Sequence, residues 1–258
     1  MLSTALIAVV AGLASLLTFY SGFGLGTLLM PVVALFFPLP LAIAMTAVVH
    51  FSNNLFKLGL VGRHADLRVL LRFGLPAVLA ALLGAALLGW MSGLAPVYTY
   101  EALGQMRAVA PVKLVIGVVI LVFVMLELSP RFAALALPPR WMTLGGALSG
   151  FFGGLSGHQG ALRSLFLVKA GLDKHAFIAT GVCIALAIDL TRLGVYAQQW
   201  SAQAQAFDWP VVIAATCSAF LGAWIGAKLL KKTTLATIQG FVTLLLVAVA
   251  LGLIAGFL

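Results

Sequence analysis

Acidic residues are nearly missing from this chain: 6 Asp and Glu stand against 15 Lys and Arg in 258 residues, and charged residues of all kinds make up 8%. Soluble domains carry roughly a quarter charged residues, so a sizeable water-facing domain is excluded. Cysteine is as scarce. Cys183 and Cys217 are the 2 present, without CxxC spacing, which excludes a disulfide framework and reads as small apolar packing. No GxxxxGK[ST] loop occurs, so nothing points to ATP as a driving force. No Lys or Arg precedes Lys57, so the basic segment of a cleavable signal peptide is missing. What the chain does have is apolar length: 63% hydrophobic residues, in runs long enough to cross a bilayer. A net charge of +9 would suggest nucleic acid in a soluble protein. Here Lys and Arg sit at the ends of apolar runs, where they set topology, and no nucleic-acid partner is expected.

Taken in order, the runs predict an all-α polytopic membrane protein. Residues 2–37 form an apolar stretch too long for one crossing and cut by a glycine-rich break. Spans are expected over 39–61, 69–91 and 108–128, with a polar, Tyr-containing loop over 92–107. A linker covers 129–140. A second interrupted stretch, 141–172, is followed by spans over 176–196, 209–229 and 235–258. The two halves are thus 1–128 and 141–258. Arg63, Arg68, Arg72, Arg131, Arg140, Lys169, Lys174, Lys228, Lys231 and Lys232 mark cytoplasmic ends. Both termini are then expected outside and the linker cytoplasmic.

The two breaks match each other. Ser21-Gly22-Phe23-Gly24-Leu25-Gly26 interrupts the first stretch, and Gly153-Gly154-Leu155-Ser156-Gly157-His158-Gln159-Gly160 the second. Ser21 and Ser156 lie 135 residues apart. The same offset pairs Ile43-Ala44 with Ile178-Ala179, Asn54 with Asp189, Lys57 with Arg192 and Gly59 with Gly194. Internal repetition with helices broken at corresponding places points to the binding site of a secondary transporter. The charge pattern makes the span bearing Lys57 run inward and the span bearing Arg192 outward. The prediction is therefore two inverted repeats, each a re-entrant helical hairpin plus three transmembrane helices.

Lipid-depth backbone without helical hydrogen bonds survives only when buried in protein or lining a wet cavity, and the N-terminus of the resuming half-helix favours an anion. The expected substrate-binding set is Ser21, Gly22, Gly24, Asn54, Lys57, Ser156, Gly157, His158, Gln159, Arg163 and Arg192. His50, Asn53, Asn54 and Lys57 share one helix face. Each also has a plainer reading: Lys57 snorkels to headgroups, Asp189 and Arg192 form a structural ion pair, Ser21 and Ser156 cap half-helices, and Arg163 anchors the hairpin. Asp189, the one acid well inside a span, and His50 are the proton-coupling candidates. An enzyme is not expected. Gly154-Leu155-Ser156-Gly157 matches the motif around the nucleophile of rhomboid proteases, yet His175, at a span end, is the only histidine after His158. No metal or cofactor is implied.

The block Gly150 to Arg163, with Ala176 to Gly181 and Asp189 to Tyr196, resembles the TauE/SafE family of sulfite and sulfonate exporters, also called toluene sulfonate uptake permeases. Ser21 to Gly26 with Pro31 is similar to that family's opening motif. His158-Gln159-Gly160 departs from the commoner triple glycine. The resemblance covers nearly the whole chain and implies a bacterial inner-membrane location, which makes the outer termini periplasmic, and a duplicated membrane module carrying sulfite or an organosulfur anion. The expected partners are a small anionic substrate and the lipid bilayer, with a homodimer left open. Two other readings stand beside export: an ion-coupled importer of another small solute, and a non-transporting membrane scaffold subunit.

Overall fold

The structure is a computed structural model; it describes residues 2–21, 25–133, 135, 137–199, 207–229 and 236–258. Helices α1 (Leu2–Ser21) and α2 (Leu25–Ala34) flank the first break, and α3 (Leu39–Val61) follows. Next comes α4 (Leu67–Ser92), which contains a π-helical turn at Leu70–Gly74. A β-hairpin of β1 (Tyr98–Ala102) and β2 (Gln105–Val109) leads to α5 (Pro111–Leu128). The second half runs α6 (Met142–Ser156), α7 (Gly160–Leu167), α8 (Lys174–Gln199), α9 (Trp209–Leu229) and α10 (Ala236–Ile254).

Five of these are long and apolar enough to cross a membrane: α3 over Leu39–Gly59, α4, α5, α8, and α9 over Trp209–Lys228. The sixth expected span, 235–258, corresponds to α10, whose Thr243–Ile254 stretch is apolar. The chain is an all-α polytopic membrane protein, with one small hairpin added.

Two local differences from the expected spans have physical causes. Helices α4 and α8 start earlier than expected because an aspartate stands just before each. Asp66 accepts from the Val69 amide at 2.8 Å and Asp173 from the Ala176 amide at 2.8 Å, each satisfying a first-turn donor. The stretch expected as loop and helix start, 92–107 and 108–110, instead holds the hairpin, and α5 begins at Pro111. Tyr98, Thr99 and Tyr100 favour a strand, and Tyr98 pairs with Val109. Leu103 and Gly104 take φ of 55° and 70°, the two positive values that a tight two-residue turn needs. Tyr100 Oη donates to the Ala255 carbonyl, tying the hairpin to the turn after α10.

Helix packing crosses between the halves. Helix α1 lies along α9, and α6 lies along α4; α3 meets α8, and α5 meets α10. The α4–α6 seam is built on small residues one turn apart. Gly146, Gly150 and Gly154 press against the backbone of Phe73, Ala77 and Ala81 so closely that no Cβ would fit. Gly222 of α9 meets the Gly12 backbone of α1 in the same way. In an apolar solvent, such close backbone contact is a main source of helix association. The second interrupted stretch folds back on itself. The amide of Leu137, just before α6, donates to the Leu165 carbonyl at 3.0 Å, and the Phe166 ring covers Gly145. The entry of α6 and the exit of α7 are therefore neighbours.

Candidate functional site

The second break is three residues long. Gly157 ends α6 in the left-handed region at φ 83°, where its amide reaches the Gly153 and Phe152 carbonyls at 3.0 and 3.1 Å. This is the usual glycine stop for a helix, at the one break position where a side chain would be strained. His158 and Gln159 then turn the chain into α7, whose N-terminus has no side-chain cap. Ser156, His158, Gln159 and Gly160 are all buried. The first-turn amides of α7 therefore start inside the protein, with partners lacking among helical carbonyls.

The breaks of the two halves are close together. A Cβ at Gly26, in the first turn of α2, would lie 3.6 Å from the Gly157 carbonyl oxygen, 3.8 Å from Thr46 Cγ2 and 3.9 Å from His50 Cδ2. Gly22 and Gly24 lie outside the described residues. Ser21 ends α1, and its side chain lies outside them too.

Behind the second break sits a fully buried carboxylate. Asp189 Oδ1 accepts from Arg192 Nε at 3.0 Å, Arg192 Nη2 at 2.8 Å and Gln159 Nε2 at 3.2 Å. Its Oδ2 accepts from His50 Nδ1 at 2.6 Å and Asn54 Nδ2 at 3.4 Å. These donors come from α3, α8 and the break itself, so one acid ties three elements together. Asn54 and Asp189, 135 residues apart in sequence, touch each other in space. Arg192 also reaches back to the Gly153 carbonyl at 3.4 Å through Nη1, and Tyr196 Oη donates to the Gly154 carbonyl. The last helical turn before the break is thus held from α8.

Of the other expected residues, Lys57 is buried on α3, and its charge and that of Arg163 act on each other. Arg163, half-buried on α7, also feels Asp189 and has an unpartnered Nη1. The cations Lys57, Arg163 and Arg192 and the Asp189 carboxylate thus belong to one group. Ser156 Oγ donates to the Phe152 carbonyl at 3.1 Å and lies 3.1 Å from His158 Nδ1. His158 Nε2 and Gln159 Oε1 are buried with no partner.

Several contributors were not expected. Phe123 of α5 stacks on the His158 ring, with centroids 5.4 Å apart at 29°. Ser149 Oγ donates to the Gln159 carbonyl at 2.9 Å, and Ser15 Oγ to Asn53 Oδ1 at 3.0 Å. Thr46 points a buried, unpartnered hydroxyl from the α3 turn before His50. Thr46, His50, Asn53, Asn54 and Lys57 share helical spacing, so the polar face of α3 signalled Thr46. Nothing local signalled Phe123 or Ser15.

Helices that cross a membrane, interrupted helices in each half, and cations buried beside the second interruption fit one class, the multi-pass membrane transporters. The match to known families is more specific. The model of the family described as sulfite exporter TauE/SafE matches residues 6–253, and the chain belongs to that family. The family is one of membrane transporters for sulfite and related sulfur anions. No curated protein matches the chain.

Proposed function

We propose that this protein is a secondary transporter that exports a small sulfur-containing anion, sulfite or an organosulfonate, through a midplane site between its two glycine-rich breaks. The observation that carries this reading is the approach of Gly26 to Gly157, which sets the start of α2 against the stop of α6. Negative charge there is favoured by the N-terminal amides opening α7 and by the nearby cationic side chains. Lys57, Arg163 and Arg192 supply the positive potential. Asp189 and His50 are the candidates for proton coupling.

Two inverted repeats, each a re-entrant hairpin and three spans, account for the packing. The Leu137–Leu165 bond supports a second hairpin that enters and leaves on one face. Exchange of partners, α1 on α9 and α6 on α4, supports a two-fold relation between halves 1–128 and 141–258. The His64 and His175 rings lie 5.4 Å apart, tilted by 38°, beside the Arg63 and Lys174 ends expected on the cytoplasmic side. The hairpin and the turn after α10 meet at the other side, in line with a periplasmic C-terminus in the bacterial inner membrane.

An anion leaving the cell moves with an inside-negative potential, worth about 2.3 kcal/mol per charge per 100 mV. Export needs no ATP. Reconstituted vesicles loaded with sulfite test the reading: wild-type protein releases it faster than empty vesicles, and Lys57→Ala or Gln159→Ala slows release while the protein stays folded. Unaltered release in both variants removes these residues from the site.

A further inference from the structure

Two buried atoms in the second break have no partner among the described residues, and the bonds around them define what kind of atom each is. Gln159 Nε2 donates to Asp189 Oδ1, an oxygen that also receives Arg192 Nε and Nη2 and so acts only as an acceptor. The amide orientation is thereby fixed, and the remaining atom, Oε1, is a bare acceptor on a side chain with 0% exposure. Ser156 has one hydroxyl hydrogen and gives it to the Phe152 carbonyl. Its oxygen therefore accepts from His158 Nδ1, which sets the imidazole tautomer. Nε2 of that neutral ring is then a second bare lone pair, on a side chain with 2% exposure.

Consecutive residues thus offer two buried acceptors directly before the N-terminus of α7, which opens at buried Gly160 without a side-chain cap. An unsatisfied buried acceptor costs on the order of 1–3 kcal/mol. An anion with only lone pairs on its rim meets the amides well and the two acceptors badly. An oxyanion that keeps one hydrogen meets both.

Resting on the anion-site reading above, we infer that the cargo is taken up as a monoprotonated oxyanion, its O–H donated to His158 Nε2 or Gln159 Oε1 and its ionised oxygens facing the α7 amides. Hydrogen sulfite is of this class; a simple sulfonate, which has no O–H, is not. Whether the hydrogen rests on the cargo oxygen or on Nε2, each bound sulfite brings one proton with it. Asp189, with its five donors, acts as the fixed counter-charge that aims Gln159.

The charged and titratable groups around this pair are Arg192 and Asp189 from α8, His50 and Lys57 from α3, and Arg163 from α7. Phe123 covers the ring from α5. Any of those groups acts on every anion alike, so a control anion that never changes its own protonation separates them from the cargo.

The test is anion-dependent thermal stabilisation of the purified full-length protein in detergent. Sulfite is compared with methanesulfonate, below and above the pH at which hydrogen sulfite loses its last proton. Apparent sulfite affinity is expected to fall about tenfold per pH unit above that point, relative to methanesulfonate, because one proton is linked to binding. Methanesulfonate should bind at least about tenfold more weakly than hydrogen sulfite, since it leaves both acceptors unmet. In His158→Phe and Gln159→Met that ratio should shrink toward one. Equal binding of the two anions, with the same pH dependence, overturns the proposal and leaves the anion site standing. A preference unchanged in both variants overturns it as well. If neither anion stabilises the folded protein at any pH, the anion-site reading fails and takes this proposal with it.

Discussion

Helices α3 and α8 align at an offset of 135 residues in sequence, yet they carry different chemistry at the same register. Where α3 has Asn54 and Lys57, α8 has Asp189 and Arg192. The α8 pair compensates itself three residues apart at 2.8 Å. The α3 cation has no acid in the matching place. All four are buried. One side therefore behaves as a locked anchor, and the other sets a buried cation beside a neutral amide. The lesson is that two segments with matching sequence register can differ in charge, one closing an ion pair on itself and the other leaving the acid out.

The sharpest way to break the comparison is to unlock the anchor. Asp189→Ala strips Arg192, His50 and Gln159 of their shared acceptor and leaves a buried guanidinium alone. Losing one partner of a buried pair costs about 3–5 kcal/mol. Thermal unfolding in detergent should show this as the largest loss of the set. Asn54→Ala, at the matching position, removes the 3.4 Å contact with Asp189 and the 3.1 Å approach to His50 Nδ1, and should cost about 1 kcal/mol. Similar losses in both variants would mean that the two helices are not specialised as argued.

Glycines give a second, smaller contrast. Gly150→Ala drives a methyl into the Ala77 backbone and should cost about 1–3 kcal/mol through displacement of the α4–α6 seam. Gly59 and Gly194, matching positions on α3 and α8, have nothing within 4 Å of an added Cβ. Alanine at either should be neutral or stabilising, by up to about 1 kcal/mol, through helix propensity. Denaturation midpoints of the three variants check the order.

The smallest effect belongs to the helix starts. The Ala176 amide, bonded to Asp173, holds that exposed carboxyl below the usual aspartate range. A depressed folded-state value means the cap helps stability at neutral pH and loses that help as pH falls through the folded value. Asp173→Asn should flatten this part of the acid limb of a stability profile, with little change at neutral pH.

How much of this was legible in the residues follows from the range of the forces involved. Crossings could be read because apolar length is a local property. The breaks could be read because glycine and polar residues stand out in an apolar run, and Gly157 does take the conformation that glycine allows. The grouping of His50, Asn54, Gln159, Asp189 and Arg192 was partly legible through helical spacing and the offset of 135 residues. The bonds between them were not, because His50 and Asp189 meet across 139 residues of chain. Phe123 against His158 and Ser15 against Asn53 depend wholly on which helices pack together. The β-hairpin was missed although Tyr-Thr-Tyr and Leu-Gly carry a strand-and-turn signal, because the surrounding apolar runs drew the helix start too early.

The central claim, that cargo passes where the two breaks meet, is tested most directly at Gly26. A Cβ there would make ordinary contacts of 3.6–3.9 Å with Gly157, Thr46 and His50, whereas a longer side chain would fill the meeting place. Sulfite efflux from reconstituted vesicles should persist in Gly26→Ala and fall by at least about tenfold in a folded Gly26→Leu protein, equivalent to a barrier increase of about 1.4 kcal/mol or more. Efflux at the wild-type rate from folded Gly26→Leu would contradict the account.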